Sequence, residues 1–307
     1  MRVVFLGTPE FAVPSLRALA SGGHEVIAVF TQPDRPKGRG NQLAESPVKV
    51  AATALGIPVY QPERIRRPES MEQLRQIAAE MMVVVGYGQI IPQVVIDLPR
   101  HGILNVHASL LPKYRGAAPI QWAIANGESV TGVTIMQIDA GLDTGDMLLK
   151  AAVSIGPDET APELSARLAP FGAELLLKVV RQFENGTVRR EKQDNSQASH
   201  APILKKEDGQ IDWLRPAQNI YNRLRGFTPW PGAYTHFRGQ QLSVLCAKPA
   251  HPVTAAPGVL RIEKRRVFAG CGENTALELL EVQLAGKKRM AAEAFANGYQ
   301  IEGETLR

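Results

Sequence analysis

Short apolar runs alternate with helical patterns through the first half of this 307-residue chain. A strand-like run at Val3–Leu6 precedes a helical pattern at Pro14–Ala20, and the alternation continues as far as a strand at Gly102–Val106. Alternation of this kind predicts a mostly parallel sheet covered by helices, in which ligands bind beyond the carboxyl ends of the strands. Thr131–Ile138 and Met147–Ile155 are separated by too few residues for a helical crossover, so we expect an antiparallel pair there.

A change of character after residue 186 predicts a second domain. Residues 187–205 are polar and poor in large apolar groups, which is typical of an interdomain linker. Residues 206–307 contain a helix predicted over Pro216–Arg225 and then short strands with turn signals, a pattern that favours a small OB-like β-barrel. The predicted fold is therefore α/β: a Rossmann-like, mostly parallel sheet in an N-terminal domain over residues 1–186, joined to an OB-like barrel over residues 206–307.

The net charge of +5 is unevenly distributed along the chain. Residues 1–186 carry a net charge of −1, whereas residues 187–307 carry +6. A basic C-terminal part indicates contact with a polyanion such as nucleic acid, and a well-solvated basic surface is the alternative.

The sequence has no apolar stretch long enough for a transmembrane helix and no room for a targeting peptide before the first strand. It has only two cysteines, too few for a disulfide framework. We therefore expect a protein of the bacterial cytoplasm without membrane contact.

Three segments contain residues that could carry chemistry. Gly7-Thr8-Pro9 lies at the first strand-to-helix turn but lacks the later glycines of a dinucleotide-binding loop, which argues against a nicotinamide or flavin dehydrogenase. Asn105 and His107 are two residues apart at the end of a predicted buried strand, so both side chains leave the same face. Residues 139–146 hold three carboxylates and two glycines; their spacing does not fit an EF-hand, and a plain acidic turn is the alternative.

Two of these segments resemble motifs of a known family, the 10-formyltetrahydrofolate-dependent formyltransferases. The motifs are N-V-H-A-S-L-L-P-K-Y-R-G at residues 105–116 and D-A-G-L-D-T-G at residues 139–145. The similarity runs from F-L-G-T-P-E-F-A near the start to F-T-P-W-P-G-A and A-G-K-K-R-M, so it covers essentially the whole chain. Ala108 is a small departure, since glycine is expected there in many relatives. Within the family, the chain is most similar to the members that act on methionyl-tRNA.

The resemblance implies transfer of the formyl group of 10-formyltetrahydrofolate to the α-amino group of methionyl initiator tRNA, which gives N-formylmethionyl-tRNA. It implies a catalytic trio in which Asn105 and His107 donate hydrogen bonds to the oxyanion, while Asp143 orients His107 and accepts the amine proton. The folate is expected against four consecutive residues, Ser109, Leu110, Leu111 and Pro112, with Glu80 and the loop at residues 138–143 close by. No metal is expected, because the sequence lacks His, Asp and Cys residues at metal-ligand spacing.

Two groups of basic residues are expected to contact tRNA. One lies in a long insertion, Pro33–Val48, which is predicted to be a mobile functional loop. The expected contacts are Arg35, Lys37 and Arg39 in this insertion, and Lys206, Arg223, Lys287, Lys288 and Arg289 in the basic domain. A formyltransferase acting on an amino-sugar nucleotide or another small amine remains the alternative function, whereas a non-catalytic RNA-binding protein would not explain the trio. A monomer is expected.

Overall fold

The structure is a computed structural model that describes residues 1–37, 42–250 and 253–307. The chain forms two compact units. The first consists of Met1–Pro119, Val130–Ser154 and Ser165–Pro202, and the second of Ile120–Ser129, Ile155–Leu164 and Ile203–Arg307. Two segments that the sequence analysis assigned to the first domain, residues 120–129 and 155–164, therefore belong to the second unit. Residues 187–202, which were predicted to form part of the linker, belong to the first unit.

The first part of the chain alternates strands and helices, as the sequence predicted. Its strands are β1 Arg2–Gly7, β2 Glu25–Phe30, β3 Arg35–Lys37, β4 Gln42–Ala44, β5 Val59–Tyr60, β6 Met81–Val85, β7 Ile103–His107, β8 Val130–Gln137 and β9 Met147–Ser154. Its helices are α1 Val13–Ser21, α2 Pro47–Ala54, α3 Pro68–Ile77, α4 Gln93–Ile96, α5 Pro119–Ala125 and α6 Ala161–Glu184.

The main sheet has seven strands in the order β5-β2-β1-β6-β7-β8-β9. The strands from β5 to β7 pair in parallel, and β7, β8 and β9 pair antiparallel, which confirms the predicted antiparallel excursion. β6 is buried along its whole length, as expected of a central parallel strand. Gly172 lets α6 lie close to β7, because a β-carbon at this position would come within 2.9 Å of Val106 Cγ1.

The insertion at residues 33–48 is anchored at both ends. β3 and β4 form an antiparallel pair, and Asp34 accepts hydrogen bonds from Lys49 Nζ at 2.5 Å and Gln61 Nε2 at 2.8 Å. The Ser46 hydroxyl accepts a bond from Lys49 N at 3.1 Å and caps α2, so Pro47 and the buried Val48 are helical. Residues 33–37 and 42–48 of the predicted mobile loop are therefore held by strand pairing and hydrogen bonds, and Gly38, Arg39 and Gly40 lie outside the described residues.

The last hundred residues contribute an antiparallel sheet and α-helices. These elements are α7 Ala217–Gly226, β10 Ala233–Phe237, β11 Gln240–Ala250, β12 Leu260–Glu263, β13 Arg266–Gly270, β14 Ala276–Leu284, β15 Met290–Ala291 and α8 Ala292–Tyr299. The sheet order is β10-β11-β14-β13-β12, with β15 paired to β14. A large apolar cluster that includes Trp213, Phe237 and Phe295 forms most of the described core of this unit, and a smaller one lies around Phe268.

The C-terminal tail hydrogen-bonds to both edges of this sheet. On β10, His236 exchanges two backbone bonds with Arg307, at 2.7 and 3.0 Å. At the other edge, Leu306 N donates to Gly258 O and Leu260 N donates to Glu304 O, each at 2.8 Å. The tail thus bridges the edge strands that a barrel must join, in keeping with the predicted barrel-like fold. No helix in the described part of the chain is both long and apolar enough to cross a bilayer.

Glu278 on β14 provides a test of how this sheet is stabilised. Its buried carboxylate accepts hydrogen bonds from Arg266, which lower the pKa of Glu278 below its usual range, and Lys248 lies 3.5 Å away. Because the folded pKa is depressed, this stabilisation is complete above about pH 4.5 and is lost as the pH falls through the folded pKa.

We therefore expect Glu278→Gln to reduce the free energy of unfolding by about 1–3 kcal/mol at pH 7, since Arg266 is half exposed and recovers hydration when the pair is broken. Denaturant unfolding from pH 7 to pH 3 measures the effect, with Glu281→Gln on the same strand as the control. A stability difference from wild type that stays constant down to pH 3 would contradict this role for the charge.

Candidate active site

Asn105 and His107 lie where the sequence analysis placed them, at the carboxyl end of β7. β7 is held between β6, where Asn105 aligns with Val84, and β8, where His107 aligns with Thr134. The side chain of His107 is buried, whereas Asn105 is partly exposed. The strand therefore presents a neutral amide and an imidazole side by side at the edge of the sheet where ligands bind in folds of this kind.

Asp143 lies in the turn that joins β8 to β9, and the sequence of this turn determines its shape. Asp143 adopts a left-handed backbone conformation with φ of 52°. Asp139 Oδ1 accepts hydrogen bonds from Gly141 N at 3.0 Å and Thr144 Oγ1 at 2.6 Å, so this carboxylate builds the turn. Gly145 is required because a β-carbon there would lie 1.8 Å from Gln137 O. Within the described ranges, no group of His, Cys, Asp and Glu is arranged to hold a metal ion.

The three candidate catalytic side chains meet around the Asp143 carboxylate. Asn105 Nδ2 donates a hydrogen bond to Asp143 Oδ1 at 3.2 Å, and the backbone N–H of Gly116 donates to Oδ2 at 2.8 Å. His107 Nδ1 lies 3.6 Å from the same Oδ2. Both carboxylate oxygens are therefore oriented by donors, and the structure brings the predicted trio together.

A backbone carbonyl determines which nitrogen of His107 faces the carboxylate. His107 Nε2 lies 2.9 Å from Tyr114 O, and because a carbonyl can only accept, Nε2 carries a proton. Tyr114, whose carbonyl makes this contact, is in the left-handed region with φ of 61°. Nδ1 is consequently the nitrogen that faces Asp143 and remains available to take up or release a proton.

The stretch predicted to bind folate turns away from β7 and is held by Thr134. Thr134 Oγ1 donates to Ser109 O at 2.7 Å and accepts from Leu111 N at 3.2 Å, so these two backbone groups already have partners within the protein. Ser109 and Leu111 are buried, whereas Leu110 and Pro112 are partly exposed. Leu110 and Pro112 are therefore the two residues of this stretch that are most accessible to a ligand. Contact with folate stays a prediction for all four residues.

Glu80, which was expected near the folate, lies at the other end of the sheet from the predicted site residues on β7. Glu80 precedes β6 and therefore stands at the amino end of the sheet, opposite to the edge that carries Asn105 and His107. Its carboxylate accepts a hydrogen bond from Arg2 N at 2.7 Å and pairs with Arg100 at 2.6 Å. These partners give Glu80 a structural role in fixing the start of β6 against β1.

Comparison with known proteins identifies the family. A family model described as "Formyl transferase" matches residues 1–180, and one described as "Formyl transferase, C-terminal domain" matches residues 203–300. The chain belongs to the formyl transferase family. This formyltransferase is 62% identical to the methionyl-tRNA formyltransferase of Solibacter usitatus (strain Ellin6076), over 100% of this chain and 98% of the relative. It is 60% identical to that of Koribacter versatilis (strain Ellin345), over 98% and 96% of the two chains.

Solved structures support the fold of the formyltransferase. The N-formyltransferase from Helicobacter canadensis, solved with folinic acid and dTDP-3-aminofucose, matches with a TM-score of 0.68. The match covers 90% of this chain and 98% of that chain at 19% sequence identity. An identity this low supports a common fold and not a common acceptor.

The basic residues predicted to contact tRNA differ in their surroundings in the formyltransferase. Lys206, Lys287, Lys288 and Arg289 are exposed, and the exposed Arg35 forms an ion pair with Glu63 at 3.3 Å. Lys37 lies in β3, and Arg39 lies outside the described residues. tRNA contact by these residues stays a prediction.

Arg223 differs from this group because it is packed against aromatic rings. Its guanidinium lies 4.8 Å from the ring centroid of Phe227 and 5.8 Å from that of Trp122, and it donates a hydrogen bond to Asp208 O at 3.0 Å. Burial lowers the pKa of Arg223 below its usual range. These contacts give Arg223 a packing role in the second unit, which competes with its predicted contact with tRNA.

The sequence analysis missed residues that hydrogen-bond to the turn of Asp143 and to the neighbours of the other candidate catalytic side chains. Gln193 and Ser199 lie in the segment predicted to be a linker, yet Gln193 bonds to the Asp143 turn and Ser199 bonds to Tyr114 and Arg115. Arg115 belongs to the quoted family motif but received no role. The only signal in the sequence was the polar character of residues 187–202, which is equally typical of an exposed linker.

Proposed function

We propose that this formyltransferase transfers the formyl group of 10-formyltetrahydrofolate to the α-amino group of methionyl initiator tRNA, and so produces N-formylmethionyl-tRNA. The trio of Asn105, His107 and Asp143 around one carboxylate is the observation that carries the proposal. The full-length similarity to methionyl-tRNA formyltransferases and the basic C-terminal part support a tRNA acceptor. We further propose that the enzyme acts as a monomer in the bacterial cytoplasm, where translation begins.

The trio suits attack by a neutral amine on a formyl carbon. The new bond joins the amine nitrogen to the formyl carbon and creates an oxyanion, and the bond from N10 of the folate to that carbon then breaks. The amide of Asn105 donates to the oxyanion with the second proton of Nδ2, since the first is directed at Asp143. A model α-amino group titrates near ~8, so the amine loses its proton readily at neutral pH.

His107 and Asp143 account for the protons in this scheme. With Nε2–H held by Tyr114 O, His107 donates to the oxyanion through Nδ1, and it does so in its protonated form. Asp143 accepts the amine proton directly or through water, and a proton returns to N10 as the folate departs.

A comparison of amine acceptors tests the proposed function. We expect kcat/KM for charged initiator tRNA to exceed that for amino-sugar nucleotides and glycinamide ribotide by at least ~10³-fold, because tRNA is a polyanion with many phosphates that basic residues can contact, whereas the small acceptors carry only one or two. Formyl transfer from 10-formyltetrahydrofolate is measured to each acceptor under the same conditions. Faster transfer to an amino-sugar nucleotide would replace the proposed acceptor with the alternative one.

A further inference from the structure

Gln193 makes four hydrogen bonds at the edge of the proposed active site. Its Nε2 donates to the backbone carbonyls of Asp143 and Gly145, each at 2.8 Å. Its Oε1 accepts from Arg115 Nε at 3.0 Å and Arg115 Nη2 at 2.7 Å. The side-chain amide therefore uses both donors on the turn that carries Asp143, and it directs its acceptor at a cation.

Arg115 fixes the amide of Gln193 from the other side. Its side chain is buried with 5% exposure, and Nη2 donates a further bond to Asn195 Oδ1 at 2.8 Å. A cation at the amide oxygen polarises the amide and strengthens its N–H donors, so the bonds reinforce one another. The same cation sets the orientation of the amide, because the reversed orientation would bring the NH₂ group against the guanidinium.

The backbone on either side of Arg115 is also held by this part of the chain. Ser199 Oγ accepts from Tyr114 N at 2.9 Å, and Ser199 O accepts from Arg115 N at 2.8 Å. Tyr114 O contacts His107, and Gly116 N contacts Asp143 Oδ2. Ser199 therefore bonds to Tyr114 and Arg115, which lie next to the backbone groups that contact His107 and Asp143, while Gln193 bonds to the turn that carries Asp143.

We infer that Gln193 is a positioning residue for Asp143. Its two N–H donors hold the left-handed turn at Asp143 so that the carboxylate faces Asn105 and His107, and Arg115 keeps the amide in the required orientation. The inference rests on the proposed role of Asp143 in formyl transfer. The physical reason for a large effect is that displacement of a catalytic group by about 1 Å can cost about 10²-fold in rate.

Gln193→Glu separates this role from a merely structural one. The carboxylate has the same shape and still accepts from Arg115, but it cannot donate to the two carbonyls, which it then repels. We expect kcat to fall about 10–100-fold while KM for tRNA and for the folate changes by no more than about threefold. Crystal structures of the wild-type enzyme and the variant should show the Asp143 Oδ2 to Gly116 N distance lengthened from its present 2.8 Å.

Two further variants complete the experiment. Gln193→Met removes the donors and the acceptor together, so it should lose as much kcat as Gln193→Glu and should also melt at a lower temperature. Gln197→Glu is the matched control: it makes the same chemical change four residues later, where the exposed side chain bonds only to Asp194 in the described structure, and kcat should stay within about twofold of wild type.

The outcomes distinguish this inference from the proposed function. If kcat stays near wild type in Gln193→Glu but falls in Gln193→Met, then Gln193 acts only as a hydrogen-bond acceptor for Arg115. That result would overturn the inference. An unchanged Asp143 position in the Gln193→Glu crystal structure would overturn it as well. Failure of the wild-type enzyme to formylate charged tRNA would instead refute the proposed function, and the crystallographic comparison does not depend on the acceptor.

Discussion

Asp143→Asn is expected to reduce kcat for formyl transfer by at least ~10²-fold, in line with the loss of a general base. Asparagine keeps the size of the side chain, and its amide oxygen can still accept from Gly116 N, so the turn retains its fold. The substitution removes the negative charge 3.6 Å from His107 Nδ1 and the acceptor for the amine proton. Binding of the folate should persist, because these losses concern the chemical step.

Single-turnover kinetics with charged initiator tRNA and equilibrium binding of the folate measure the two effects separately. Asp97→Asn serves as the control, since it makes the same chemical change at an exposed position next to α4. We expect the control to match wild type in both measurements. A single-turnover rate for Asp143→Asn close to that of wild type would remove Asp143 from the mechanism.

The parts of the site that could be predicted from sequence are those fixed by local periodicity. Asn105 and His107 share a face because they are two residues apart in a strand, and they lie at the ligand-binding edge because the strand ends there. The position of Asp143 depends on the antiparallel pairing of β8 with β7 and on the shape of a turn, so only the family resemblance placed it beside them. Local pattern alone left Asp143 in an acidic turn.

Residues 187–202 were assigned to a linker because they lack hydrophobic periodicity. The structure gives the physical reason: this segment is fixed by hydrogen bonds between polar groups, and such bonds leave no periodic signature in the sequence. Gln193 and Ser199 illustrate this, since their bonds join residues about 50 and 85 positions apart in the chain. Arg223 shows that the role of a charged residue is equally hard to predict from sequence. A packed arginine on an aromatic ring and an exposed one in solvent cannot be told apart without the structure.

The sequence also did not predict which segments of the chain make up the second unit. The segments that belong to it affect how tRNA binding should be tested. Residues 120–129 and 155–164 join this unit through side chains that sequence patterns do not reveal: Trp122 meets Phe227 edge to face, and Arg225 donates to Glu159 O at 3.0 Å. Removal of the C-terminal part would expose these segments. Substitution of surface charges in the full-length chain is therefore a cleaner test than truncation.

The exposed turn between β14 and β15 offers the best place for such substitutions. Lys287, Lys288 and Arg289 follow Gly286, whose φ of 75° forms the turn. The turn is held by backbone contacts, since Lys287 N donates to Leu284 O at 2.9 Å and Lys287 O accepts from Gln283 at 2.8 Å. The ion pair from Arg289 to Glu281 is long at 3.9 Å. Alanine at these three positions should therefore leave the turn folded.

Replacement of Lys287, Lys288 and Arg289 by alanine is expected to lower kcat/KM for charged tRNA by about 10²-fold at ~0.1 M salt, because each phosphate contact releases counterions. In a plot of the logarithm of the association constant against the logarithm of salt concentration, the slope should become shallower by about 2–3. Folate affinity should not change.

The control replaces Arg64, Arg66 and Arg67, which are equally basic and exposed but belong to the first unit. Equal losses in the two triple variants would show that total charge, and not this turn, attracts the tRNA, and an unchanged salt slope would exclude the turn from the interface.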